Sequence, residues 1–411
     1  MPQRHFKDWL TAFMEYASYG EAPFKMIFWT GISTLAGALR RRVWIDQHYW
    51  QWLPNFYIIF VAPPGIVSKT TTANIGMNLL KGLPPGSINF GPDVVTWQSL
   101  ITSLAKSGES VPDPRNPGVF HPMSCVTFCS DELGNLLNPN DPDLVAALIT
   151  LWDGKQGAFR KETKTSGSDK IENPWINIIG CTTPSWIAGN VPEYIIGGGF
   201  TSRCVFIYAD KKRQLVPLVS KAVPPGFDDL RKKLIHDLEI ISMMFGEYTI
   251  TSQAEEWNAR WYKEHWEGKP LHINSELYSG YMARKQTHLF KLAMIISASK
   301  DDSLLIEPEH LNVAQDCLTA IEEDMPKIFS RIGQTDITRS STEILFIVEA
   351  NPGIPQPDLY RAMFRTQSYK DFLESLSGAI NSLQIVSRQE GNTIRYYPVK
   401  IQDEHQNRKV H

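Results

Sequence analysis

Five short apolar runs between residues 55 and 209 constrain this chain more than any other feature: NFYIIFVA, SINF, SCVTFCS, WINIIG and RCVFIYA. They are near-continuous in apolar residues, so they predict strands buried on both faces. Such strands occur where helices cover both sides of a mostly parallel sheet. Helical stretches separate the runs. The expected core is therefore α/β and spans residues 55–225.

Apolar residues three and four apart in FKDWLTAFMEYA and FKMIFWTGISTLAGALRRR predict a helical layer within residues 1–54. Residues 226–335 return to that spacing in FDDLRKKLIHDLEIISMMF, AEEWNARWYKEHW, RKQTHLFKLAMIISAS and EHLNVAQDCLTAIEEDM, which predicts a second, all-helical region. Residues 336–411 read as three helices, STEILFIVEA, PDLYRAM and YKDFLESLSGAINSL, followed by strands IVSRQ and TIRYYPV around Gly391-Asn392. That is the order of a winged helix.

A length of 411 residues with 42% hydrophobic content fits a multi-domain globular protein. The net charge of -3 leaves any nucleic-acid contact to local patches. None of the five cysteines, Cys125, Cys129, Cys181, Cys204 and Cys317, has zinc-finger or C-x-x-C spacing, so reduced core thiols are expected. There is no apolar signal core at the start and no run of about 18 apolar residues, which predicts a soluble, cytoplasmic protein with no membrane partner.

Four constellations carry chemistry. The first run leads into VAPPGIVSKTTT, residues 61–72. In a phosphate-binding loop, backbone N–H groups and a helix N-terminus surround the phosphates, a lysine reaches the terminal ones and a hydroxyl ligates Mg²⁺. Gly65, Ser68, Lys69 and Thr70 fit those places. Ser68 replaces the usual glycine, and the spacing from Ala62 to Lys69 is one step too long. A positive φ at Ser68 would cost about 1–3 kcal/mol. The same stretch also reads as a plain Pro/Gly turn.

Second, SCVTFCSDELGNLL ends a strand in Asp131-Glu132, where an aspartate can hold Mg²⁺ and a glutamate can polarise the attacking water. Asp131 equally suits a helix cap. Third, WINIIGCTTP puts Thr182 or Thr183 where a hydroxyl would orient that water, or where a Thr-Pro turn ends the strand. Fourth, GGGFTSRCVFIYAD carries Arg203 toward a strand. An arginine so placed can project across a subunit boundary onto a neighbour's phosphates, or it can pair with a carboxylate on the surface. Arg284 and Lys285 offer a further phosphate contact from the helical region.

Together, NFYIIFVAPPG…SKTT, FCSDELGNLL, LWDGKQGAFRKETKTSG…NPWINIIGCTTP, GGGFTSRCVFIYA and WNARWYKEHW…KQTHLFKLAMIISAS resemble helicase-type P-loop ATPases of bacteriophages and mobile elements. Many of these are domains of unknown function associated with primase modules. The resemblance covers about residues 6 to 330 and lies in the order of the motifs. A more distant similarity is to the minichromosome-maintenance branch of the AAA+ ATPases, with Cys204 in place of the phenylalanine of its Ser-Arg-Phe motif.

The resemblance implies an AAA+-like P-loop core with a helical lid and a C-terminal winged helix, acting as a hexameric ring on DNA in the cytoplasm of a bacterial or archaeal host. It implies ATP and Mg²⁺ as cofactors. Lys69 and Thr70 would take the phosphate-binding roles, Asp131 and Glu132 the metal and water roles, Thr182 or Thr183 the sensor, and Arg203 the trans arginine.

In related rings a hairpin between the acidic and sensor strands points into the channel, which would set Arg160, Lys161, Lys164 and Lys170 on single-stranded DNA. Glu162, Asp169 and Glu172 nearly balance them, so a solvated surface hairpin stays open. Residues 331–411 hold ten Lys/Arg against nine Asp/Glu, and Arg388, Arg395 and Lys400 would be the DNA contacts there. Trp97, Trp186 and Trp257 are expected in the core.

No primase or polymerase motif is present, so an ATP-driven helicase or translocase would need separate priming machinery. Two alternatives stand beside it: a nucleotide-stabilised initiator that recruits another helicase, and an ATPase acting on proteins.

Overall fold

A computed structural model describes residues 3–154, 156–159, 171–191, 195, 199–268, 276–329, 336–364, 367–391 and 393–399. The chain divides into two compact units, residues 1–329 and 330–411.

The first unit is mixed α/β. Its central sheet consists of β1 (Tyr57–Val61), β2 (Gly108–Pro112), β3 (Phe120–Ser130), β4 (Pro174–Thr182) and β5 (Cys204–Tyr208), in the order β2-β3-β4-β1-β5. β3, β4, β1 and β5 run parallel, and β2 is antiparallel to β3. Every residue of β1 and β4 is buried, as their unbroken apolar runs require. The run SINF forms no strand and contributes one parallel bridge, Phe90 with Thr127. β2 was not foreseen, because GESVP is polar and mostly exposed.

Alternate residues of β1 face opposite sides of the sheet. Ile58 and Phe60 join a core built with α1 (Trp9–Ala17) and α2 (Phe24–Leu39). Tyr57 turns the other way and donates its hydroxyl to the Leu148 carbonyl (2.8 Å) on the helix Pro142–Trp152. α2 is buried around most of its circumference, which suits a helix enclosed by protein. Its close contact with α3 (Lys69–Leu80) depends on Gly76, where a Cβ would lie 2.1 Å from Thr34 Oγ1. The N-terminal segment is pinned at Asp237, whose carboxylate accepts the backbone N–H groups of His5 (2.8 Å) and Phe6 (2.9 Å).

The region after residue 226 is not purely helical. Besides the helices Phe227–Ser242, Ser252–Glu267, Glu276–Lys300 and Pro308–Glu322, Gly246–Glu247 pairs with the strand Val43–Asp46, and Thr249–Ile250 pairs with Leu305–Ile306. These helices share one core with α1, α2 and β1. Among the described residues, no helix is long and apolar enough to cross a membrane. All five cysteines are free thiols.

The second unit holds the helices Asp336–Ala350, Gln356–Met363 and Tyr369–Asn381, with strands Ile385–Glu390 and Thr393–Pro398. A two-residue strand, Ile354–Pro355, adds to the hairpin. Ile344, Val348, Leu359, Met363, Phe372 and Leu376 form its separate core.

Candidate functional site

The parallel strands bring three distant stretches together. β1 and β4 end in register, Val61 opposite Thr182, while Ser130 at the end of β3 lies opposite Gly180. The segments that follow those ends, 62–70, 131–132 and 182–186, line a cavity of about 350 Å³.

The loop before α3 uses positive φ at Gly65 (71°) and at Ser68 (52°). Ser68 therefore occupies the left-handed region, which serine adopts at a cost of about 1–2 kcal/mol. Ser68 is the N-cap of α3, yet its side chain makes no capping bond, so the first-turn N–H groups keep their donor capacity toward the cavity. Lys69 Nζ donates to the carbonyls of Ala62 (2.9 Å) and Pro63 (3.3 Å), and burial lowers its pKa from the ordinary lysine value. Thr70 lines the same cavity.

Asp131 does not act as a helix cap. The N-cap of the following short helix, Leu133–Leu136, is Glu132, and its side chain makes no capping bond. Asp131 Oδ1 instead accepts from Asn74 Nδ2 (3.3 Å) on α3, while the exposed Glu132 side chain lines the cavity.

The two threonines have separate places. Thr183 caps the helix Pro184–Asn190, accepting from the Trp186 backbone N–H (3.1 Å) and bonding Ser185 Oγ (2.9 Å). Thr182 is buried and its Oγ1 has no hydrogen-bond partner among the described residues. A buried hydroxyl without a partner is costly, and here it belongs to a residue lining the cavity.

Arg203 lies at the other end of the sheet. Its neighbour Cys204 is opposite Tyr57, the first residue of β1, so the arginine and the Lys69 loop are separated by the length of a strand, about 13 Å. It does not project from the surface. It is buried, bound to Asp153 through both carboxylate oxygens, Nε to Oδ1 at 3.1 Å and NH2 to Oδ2 at 2.6 Å, and its guanidinium lies over the Trp152 ring (5.7 Å). Arg284 lies beside it, half-buried; burial and then the Arg203 charge lower its pKa.

Both arginines line a second cavity of about 390 Å³ with Asp153, Trp50, Trp152 and Lys291. Lys291 is fully buried, held by Asn55 Oδ1 (2.8 Å), the Trp152 carbonyl (3.1 Å) and the Trp152 ring (3.6 Å). Lys285 offers no phosphate contact, because it is buried in an ion pair with Glu322 (2.8 Å).

Arg160, Lys161, Lys164 and Lys170 lie outside the described residues, as does Lys400. The ends of that segment do pair antiparallel, Ala158–Phe159 with Ile171–Glu172. Arg388 is exposed over the Tyr397 ring (5.0 Å). Arg395, by contrast, braces the hairpin by donating to the Gly353 carbonyl (2.7 Å) and pairing with Glu390 (3.2 Å). Trp97, Trp186 and Trp257 are half-buried and not fully enclosed, and Trp186 lines the first cavity.

Sequence reading missed Asn74, Asp153 and Lys291. Lys291 left a signal, as the one charge inside HLFKLAMIIS; Asp153, at the end of ALITLW, and Asn74, between Ala73 and Ile75, carry no local pattern that assigns them a partner. Compared with protein-family models, the chain matches none, and no curated protein matches it.

Proposed function

We propose that this chain is a P-loop ATPase of AAA+ type, with a winged helix as its second unit, that works as a ring-shaped helicase or translocase on DNA in the replication of a phage or mobile element. The convergence of Lys69, Asp131, Glu132 and the unpartnered Thr182 hydroxyl on one cavity at the ends of parallel strands is the observation that carries it.

The donor set fits a nucleotide phosphate chain with a divalent ion: one ammonium, an uncapped helix start, two carboxylates, and a buried hydroxyl lacking a partner. Mg²⁺, when bound by Thr70 and Asp131, would offset charge on the β- and γ-phosphates. Lys69 exchanges the carbonyls of Ala62 and Pro63 for phosphate oxygens. Glu132, exposed at the cavity, accepts hydrogen bonds from the attacking water and orients it, and the Thr182 hydroxyl fixes that water or the γ-phosphate. Arg203 and Arg284, at the far end of the sheet, serve the site of a neighbouring copy and not their own.

A second reading, a nucleotide-stabilised initiator with little hydrolysis, is favoured by the strained Ser68 and by the bonds that hold Lys69 on its own loop. Steady-state ATP hydrolysis with and without single-stranded DNA separates the two. The motor reading expects DNA-stimulated turnover that falls by about 100-fold or more in Lys69→Ala and Glu132→Gln, with stimulation lost in Lys164→Ala. ATP binding without turnover under any condition favours the initiator.

A further inference from the structure

The Asp153–Arg203 pair has the geometry of a phosphate contact. Two parallel N–H···O bonds from a guanidinium to a carboxylate form the same fork that a guanidinium presents to two phosphate oxygens. We propose that Asp153 is a positioning residue that stands in for phosphate: it holds Arg203 in the isolated chain and yields it when a second copy brings its nucleotide to this cavity. The proposal rests on the trans role of Arg203 given above.

Three observations carry it. First, the two partners differ in exposure: the Arg203 side chain is 8% exposed, whereas that of Asp153 is 49% exposed. Displacing the pair therefore means swinging Asp153 into water, where its charge is readily solvated, while Arg203 stays in place. Arg203 is held in place by its bond to the Gly199 carbonyl (2.9 Å) and by the Trp152 ring, and it needs an incoming anion to take over from Asp153.

Second, Asp153 is the C-cap of the helix Pro142–Trp152. A carboxylate at the negative end of a helix dipole is unfavourable, so helix stability does not account for an aspartate there. Lys291, which donates to the Trp152 carbonyl, is the residue that suits that helix end.

Third, the cavity carries surplus positive charge. Arg203 and Arg284 face Asp153, the one carboxylate lining it among the described residues, while burial pushes the Lys291 pKa far down and keeps that amine out of the charge count. Arg284 donates to the Gly280 carbonyl, and no ion pair is found for it among the described residues. A phosphate brings more charge than Asp153 and meets both guanidinium groups, so it wins the exchange once it is held close by a docked neighbour.

Docking and release of Asp153 are then coupled, and removing the Asp153 charge should make assembly with nucleotide easier. The test compares the wild-type chain with the isosteric Asp153→Asn and the charge-retaining Asp153→Glu. Self-association in the presence of Mg-ATP is followed by sedimentation velocity, and ATP hydrolysis is recorded against protein concentration. Thermal melts establish that each variant is folded.

The expected result is that D153N reaches half-maximal association at a protein concentration at least threefold lower than wild type, with the hydrolysis curve shifted alike, while D153E stays near wild type. A folded D153N with an unmoved association curve, or with weaker association, overturns the proposal; a merely structural aspartate would give one of those. If no chain hydrolyses ATP yet D153N still associates more tightly, the motor reading fails and the latch stands. Turnover that depends on concentration but ignores Asp153 fails the latch alone.

Discussion

At the scale of single residues, the two adjacent threonines offer a sharp contrast. Thr182 and Thr183 are indistinguishable in CTTP, and local spacing gives each the same candidacy. The fold separates them, because the strand ends at Thr182 and the helix starts after Thr183. Thr183→Val removes a cap and should lower stability by about 1 kcal/mol with little effect on the chemical step. Thr182→Val removes a buried hydroxyl that bonds nothing, so stability should hold or rise slightly, while hydrolysis falls by about 10-fold or more. Urea midpoints and turnover, measured on both variants, check the pair. Loss of stability in Thr182→Val with full activity would assign that hydroxyl to the core.

Ser68 shows how far such a position can be anticipated. The departure from glycine before the lysine is visible in the sequence, and so is the conditional cost. The structure adds the condition itself, a φ of 52°. Arg203 was legible as a chemical residue but not in its present partnership, since Asp153 lies fifty positions earlier and nothing in LWDGKQG pairs it with that arginine.

At the scale of elements, the helix Glu276–Lys300 lines the cavity around Arg203. His288 on it bonds the Ser202 carbonyl (3.0 Å), next to Arg203, and stacks on Tyr281. Burial lowers the His288 pKa to about 3. The neutral ring is thus the folded form, and the unfolded chain takes up a proton that the folded chain refuses between the ordinary value near 6.5 and about 3. Stability contributed by this group is complete above pH 6.5 and declines as pH falls through that window. Between pH 6.5 and 5 the wild type should lose up to about 2 kcal/mol more than His288→Gln, which has no such proton to take up. Urea unfolding at the two pH values measures the difference, and parallel losses in both proteins would remove His288 from the account.

The elements themselves were largely legible where periodicity was strong. The unbroken apolar runs became buried parallel strands, and the long helices stand where their spacing puts them. What could not be read was short or polar: β2, the two-residue strands near 246 and 305, and the failure of SINF to become a full strand. Such pieces are held by neighbours and not by their own pattern.

At the scale of the whole molecule, one sheet separates two cavities of opposite character. One gathers a lysine, two carboxylates and an unpartnered hydroxyl after the strand ends; the other gathers two arginines, a buried lysine and a single carboxylate, Asp153, before the strand starts. The motif order in the sequence already names the residues of the first. It does not show that Arg203 is a strand's length away, which follows only from the parallel register of β1 and β5. This separation is why the proposed ATPase needs a second copy.

If the Lys69 cavity holds the phosphates of ATP as proposed, titration calorimetry of Mg-ATP into the wild-type chain and Lys69→Ala will register it. The expected result is binding near one nucleotide per chain, weakened at least about 10-fold in the variant, a loss of about 1.4 kcal/mol. Equal affinity in the two proteins, or no binding by a folded wild type, would contradict it.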